Sequence, residues 1–226
     1  MTKFSKKSEY TAEEIYEMYE GLEHDSLWLT DVVSLPDNLD LSGKRLMLQG
    51  APIKQLPKNM KVGSLDVSYT ALTSLPDDLQ VEETLNMRET RITAIPDNLS
   101  HLYNLLADNS RLSKLPEYLT IDNVADFEDT RLYRIPHNLI VRKKLNLTHT
   151  RVSELPDNFK THTLVLRYTP IKKLPKNLTV EYYLDIRNTS ITEADLPDDL
   201  YVGQYLNMKG GEKETEFWRG GKYSQK

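Results

Sequence analysis

The chain contains no cysteine. Disulfides, thiolate zinc centres and thiol nucleophiles are therefore excluded from its 226 residues. Long apolar runs are missing as well. After the polar stretch Met1 to Tyr10, which carries Lys3, Lys6 and Lys7, nothing is apolar enough for a signal peptide or a membrane span. The expected location is the cytoplasm, with secretion as the alternative. Positive charge is in deficit, with 29 Lys and Arg against 34 Asp and Glu and a net charge of -5. That balance opposes a polyphosphate partner held by charge alone. The five histidines, His24, His101, His137, His149 and His162, are dispersed, and none forms a pair at metal-ligand spacing. With no nucleophile and base, no phosphate loop and no metal cluster, no catalytic site, cofactor or metal is expected, and the chain is read as a non-enzyme.

What the chain has instead is repetition, which decides fold before any local pattern does. Nine of its 11 prolines stand in Leu-Pro or Ile-Pro pairs, from Pro36 to Pro197, at spacings of 21, 19, 20, 20, 20, 20, 19 and 22. Aligned on those prolines the units read LPxxLxVxxxLxLxxTxIxx, as in LPDDLQVEETLNMRETRITA and IPHNLIVRKKLNLTHTRVSE. One apolar column runs Leu46, Leu65, Leu85, Leu105, Ala125, Leu145, Leu164, Leu184, Leu206, and a second lies two residues on, from Leu48 to Met208. Alternation of this kind predicts a short strand with one buried face. Thr or Ser follows three residues after the second column, at Thr70, Thr90, Ser110, Thr130, Thr150, Thr169 and Thr189.

A unit of twenty residues cannot bury its own apolar side, whereas neighbours stacked in parallel share a continuous core. Proline at the opening of each unit sets a turn and leaves no room for a long helix on the return. The expected architecture is an α/β repeat, a solenoid with a parallel sheet on its concave face and an extended or 3₁₀ convex side. An amino-terminal helix should cap it: Thr11 and Glu14 have capping-box spacing, and Ile15, Met18, Tyr19 and Leu22 share one helical face. The boundaries read as 1-26 for a tail and capping helix, 27-209 for about ten strands, and 210-226 for a polar tail. Ala107 and Ala125 are small for their columns, and Phe127 is placed to compensate for both. His101 and Thr161 fall in a column otherwise held by Val, Ile or Leu, and are expected to pack poorly.

The Leu-Pro-Asp-Asn-Leu units from Leu35 to about Met208 resemble the short, proline-containing leucine-rich repeats of bacterial and phage-encoded proteins, including the repeat domains of secreted bacterial effectors. The resemblance implies fold and leaves function open. Two departures stand out. Thr or Ser replaces the Asn usual in such repeats, and the cysteine-bearing catalytic domain of the effector ubiquitin ligases has no counterpart, so that activity is excluded for this chain.

Repeat proteins bind partners on the strand residues that face away from the core. One such column reads Trp28, Met47, Asp66, Asn86, Leu106, Asp126, Asn146, Val165, Asp185, Asn207, and the next reads Thr30, Gln49, Ser68, Arg88, Asp108, Glu128, Thr148, Arg167, Arg187, Lys209. Charge is segregated along them, with Asp108, Asp126, Glu128 and Asp129 central and Arg167, Arg187 and Lys209 towards the carboxyl end. Tyr69, Tyr168, Tyr183 and Tyr205 lie on the same side and are of the type that anchors interfaces. The expected function is protein-protein interaction, as an effector or a phage-encoded inhibitor or adaptor. The predicted partner-binding residues are Trp28, Asp108, Asp126, Glu128, Arg167, Tyr168, Tyr183, Arg187 and Tyr205, on a monomer with no membrane partner. The alternatives are nucleic-acid binding through Arg142, Lys143, Lys144, Arg167 and Arg187, and self-association as a structural repeat protein.

Overall fold

The computed structural model describes residues 8–208, so the expected polar tail at 210-226 and the column residue Lys209 lie outside the described residues. Strand formation follows the apolar columns. The strands are β1 (Ser26–Trp28), β2 (Asp40–Met47), β3 (Lys61–Asp66), β4 (Gln80–Val81), β5 (Thr84–Asn86), β6 (His101–Leu106) and β7 (Thr120–Asp126). They continue with β8 (Ile140–Val141), β9 (Lys144–Asn146), β10 (Lys160–Val165), β11 (Thr179–Asp185), β12 (Tyr201–Val202) and β13 (Tyr205–Asn207). All belong to one 13-stranded sheet in chain order, and every pairing is parallel. Because β4 with β5, β8 with β9 and β12 with β13 each share a rung, the ladder has ten rungs.

The register is the column read from the sequence. Leu27, Leu46, Leu65, Leu85, Leu105, Ala125, Leu145, Leu164, Leu184 and Leu206 are successive partners, and all are buried. The core they begin continues without a break from Ile15 to Leu206. Phe127, with Ala107 and Ala125 fully buried beside it, is the largest side chain withdrawn from solvent. The chain returns from rung to rung as turns and extended segments, and the 3₁₀ turn Glu193–Asp195 is the one short helix of that kind among the described residues.

Threonine closes each corner. The Oγ1 hydroxyls of Thr70, Thr90, Thr130, Thr150, Thr169 and Thr189 donate to the carbonyls three residues back, at 2.7 or 2.8 Å. At Thr70, Thr150, Thr169 and Thr189 the backbone amide donates to the same carbonyl, so the hydroxyl adds a second bond, whereas at Thr90 and Thr130 it is the bond that closes the turn. The residue just before it takes the left-handed conformation in Tyr69, Glu89, Asn109, Asp129, His149, Tyr168 and Asn188, with φ between 53° and 59°.

The helix α1 (Ala12–Glu20) precedes the sheet and touches β1. Thr11 Oγ1 accepts from the Glu14 amide and Glu14 Oε2 accepts from the Thr11 amide, so two of the donors a helix start leaves open are satisfied. Ile15 and Tyr19 are its buried residues, and the Tyr19 hydroxyl donates to the Arg45 carbonyl at 2.8 Å. Burial pushes that hydroxyl well above the usual tyrosine range.

His101 is a correction. It stands outside the apolar column, because Leu102 occupies that place as the partner of Ile121. His101 pairs with Thr120 in the ladder, is exposed, and meets Asp122 at 2.8 Å through Nε2. Ser100 is one residue more than other units carry between the Leu after proline and the strand, and the register slips back between Leu102 and Asn104. Thr161 does lie in the column, 2 % exposed, and its hydroxyl has no hydrogen-bond partner.

Candidate functional site

One face of the sheet is committed to the core, so the other carries the side chains free to meet a ligand. Its central column runs Met47, Asp66, Asn86, Leu106, Asp126, Asn146, Val165, Asp185, Asn207, in direct register from rung to rung. Within it the same triplet, apolar then Asp then Asn, occurs three times. The rungs ending in Asn are also the three split rungs, where Glu82–Glu83, Arg142–Lys143 and Gly203–Gln204 bend out of the strand. At the third bend only glycine fits, since a Cβ on Gly203 would lie 1.9 Å from the Glu181 carbonyl oxygen. The nine rungs after the first therefore form three modules of three coils, a level of order that a period of twenty conceals.

The triplets organise hydrogen bonds along the face. Asp66 Oδ1 accepts from the Ser68 amide and hydroxyl, and its Oδ2 accepts from Asn86 Nδ2 at 2.8 Å. In the second module Asn146 Nδ2 donates to Asp126 Oδ1 and to Glu128 Oε2, both at 3.0 Å. In the third, Asp185 is 2 % exposed and takes a bidentate contact from Arg187, whose Nη2 lies 2.8 Å from Oδ2, while the Tyr183 hydroxyl donates to the same oxygen at 2.9 Å. The Asp185 carboxylate raises the pKa of the Arg187 guanidinium, and burial raises that of the Tyr183 hydroxyl.

The predicted site residues divide into three places. Trp28 stands apart on rung 1, 52 % exposed, with its ring edge-on to His24 at 5.8 Å. Asp108, Asp126 and Glu128 come together on rungs 5 and 6. There Asp108 is engaged by Arg88, while burial, with Asp108 and Glu128 nearby, holds the Asp126 carboxyl above the usual carboxylate range despite the Glu128 amide and Lys144. Arg167, Tyr168, Tyr183, Arg187 and Tyr205 gather on rungs 8 to 10, where Tyr183 and Tyr205 are register partners.

Tyr183 and Tyr205 thus sit within the ladder, whereas Tyr69 and Tyr168 project from the left-handed corners along its rim. The rim continues through His149, whose ring centroid is 4.4 Å from that of Tyr168 and whose Nδ1 is 3.7 Å from Asp129. The two arginines also differ. Arg187 is saturated by Asp185, whereas Arg167 Nε stops 3.8 Å from that carboxylate and has no hydrogen-bond partner.

The sequence columns did not single out the cleft on rungs 2 to 6, a cavity of about 710 Å³ whose lining includes Met47, Asp66, Glu83, Tyr103 and Leu106. Its apolar ends, Met47 and Leu106, are the same position in successive modules, so reading the columns at a lag of three units would have marked it. Among the described residues no group of three or more His, Cys, Asp or Glu is placed to hold a metal ion, and no helix is long and apolar enough to cross a membrane.

No protein-family model matches the chain, and no curated protein is significantly similar to it.

Proposed function

We propose that the chain is a leucine-rich-repeat recognition protein that binds another protein across the open face of its sheet, which would be the concave one, with α1 as the cap of its amino end. The observation that carries this is conformational. Left-handed backbone suits Gly, Asn and Asp, yet Tyr69, Glu89, His149 and Tyr168 adopt it at φ of 54° to 59°. A side chain kept where it costs of the order of 1 kcal/mol is kept for what it touches, and Tyr168 is 51 % exposed, with its ring against that of His149 on the rim. The His149–Tyr168 pair on the rim, beside a hydrogen-bonded polar floor, is an aromatic surface of the type that anchors interfaces.

Nucleic-acid binding has less to work with. Of the five cations that favoured it, Arg142 is paired with Asp122 at 2.9 Å and Arg187 with Asp185. From the resemblance, the setting would be a bacterial or phage-encoded inhibitor or adaptor acting in the cytoplasm.

Photo-crosslinking tests this. A crosslinking amino acid at Glu128 or Thr163 should capture a protein of discrete mass from a bacterial lysate, and the same group at Arg91 or Arg131, on exposed return segments, should not. Equal capture from both sets of positions, or none, would reject recognition by the sheet face.

A further inference from the structure

The open face is electrically divided once internal pairs are removed. On rungs 5 and 6, Arg88 answers Asp108, whereas Asp126 and Glu128 are met by the Asn146 amide and make no salt bridge, with Lys144 the cation nearest in effect to Asp126. On rungs 7 to 9 the reverse holds. Asp185 is taken by Arg187 and the Tyr183 hydroxyl, and Glu181 is paired with Lys160 at 2.9 Å. Lys144, in register with Thr163, and Arg167 are left without a salt bridge of ordinary length. Arg167 is the more telling of the two, because its Nε is buried and unsatisfied while the side chain as a whole is 36 % exposed. With Arg187 on both Asp185 oxygens, that one carboxylate serves two guanidiniums, and the exposed part of the Arg167 head is where an anion from outside the fold would balance the remaining positive charge. Beside it stand Tyr168 and His149 on the rim, apolar area of the kind that flanks an anchored residue.

We propose that the sheet face of rungs 7 to 9 takes up a carboxylate-rich segment of a partner protein, with the Arg167 guanidinium as its anion contact and Lys144 and Tyr168 flanking it. This rests on the recognition function above and specifies its partner's chemistry. The planar fork of Arg167 suits a bidentate carboxylate. The carboxylates on rungs 5 and 6 repel such a segment from that end of the face, which sets where it lies along the sheet.

Fluorescence anisotropy of a labelled deca-glutamate peptide with the full chain tests the proposal. Saturable binding that weakens as salt is added is expected. Arg167→Glu should weaken it at least about tenfold. Arg167→Gln, which leaves no new charge to unsettle the fold, should weaken it in the same direction. Wild-type affinity in both variants would overturn the assignment, as would tighter binding of an oligothymidylate, whose phosphates would then be the preferred anion. If deca-glutamate fails to bind while crosslinks on this face still form, the acidic partner is rejected and protein recognition stands.

Discussion

Threonine occupies the corner of six coils, buried in five of them, and one buried strand position, and the two placements have opposite energetics. At a corner the hydroxyl answers a carbonyl, as Thr130 does for Phe127 at 2.8 Å. In the strand, Thr161 holds a hydroxyl with no partner inside an apolar column. Burying an unsatisfied hydroxyl costs about 1–3 kcal/mol, whereas removing a made hydrogen bond strands its carbonyl. The same substitution should therefore change sign with place. Thr161→Val should raise the free energy of unfolding in urea by about 1 kcal/mol, and Thr130→Val should lower it by about 1–2 kcal/mol. Equal effects at the two sites would show that the corner hydroxyls do not close the turns. Thr161 was legible in the sequence as a misfit in its column. His101 was not, because the extra Ser100 shifts which residue points inward, and a one-residue slip reverses the face of a strand.

Each rung carries one buried leucine, or Ala125 on the sixth, and an outward residue beside it, and that alternation was plain because the strand period is two. The splitting of β4 from β5, β8 from β9 and β12 from β13 was not, since Glu82–Glu83, Arg142–Lys143 and Gly203–Gln204 share no residue type. The rung from Thr120 to Asp126 makes an electrostatic prediction. Burial raises the Asp126 carboxyl, with Asp108 and Glu128 adding to it, so the folded state holds a proton that the unfolded chain gives up. Stability then falls as pH rises from the ordinary aspartate range through the raised value, and above it the cost of ionisation is complete. Asp126→Asn should consequently stabilise the protein at neutral pH, by an amount that shrinks as pH falls through that window. Urea midpoints of both proteins across acid and neutral pH measure it. A pH-independent difference, or a variant less stable at neutrality, would contradict the electrostatic cause.

For the whole molecule, nine proline-led units become ten rungs over a single interior. The core residues were readable because burial constrains type: leucine recurs at the same ladder position from Leu27 to Leu206, with Ala125 the one exception. The outward residues obey no such constraint. Their charge segregation was visible, but which charges cancel depends on contacts across rungs, and only the fold separates a satisfied Arg187 from an unsatisfied Arg167. The three-coil module escaped notice because alignment on twenty residues averages over it. All of this depends on each coil lying directly on the next, and the absence of cysteine makes that simple to probe. Thr84 and Asn104 are register partners on adjacent strands, about 5 Å apart and so within the Cα separation that a disulfide spans, whereas Leu105 points into the core. Under mild oxidation, Thr84→Cys with Asn104→Cys should close an intrachain disulfide, and Thr84→Cys with Leu105→Cys should remain reduced. Mass spectrometry showing no bond in the first pair, or equal oxidation of both, would contradict the stacked ladder.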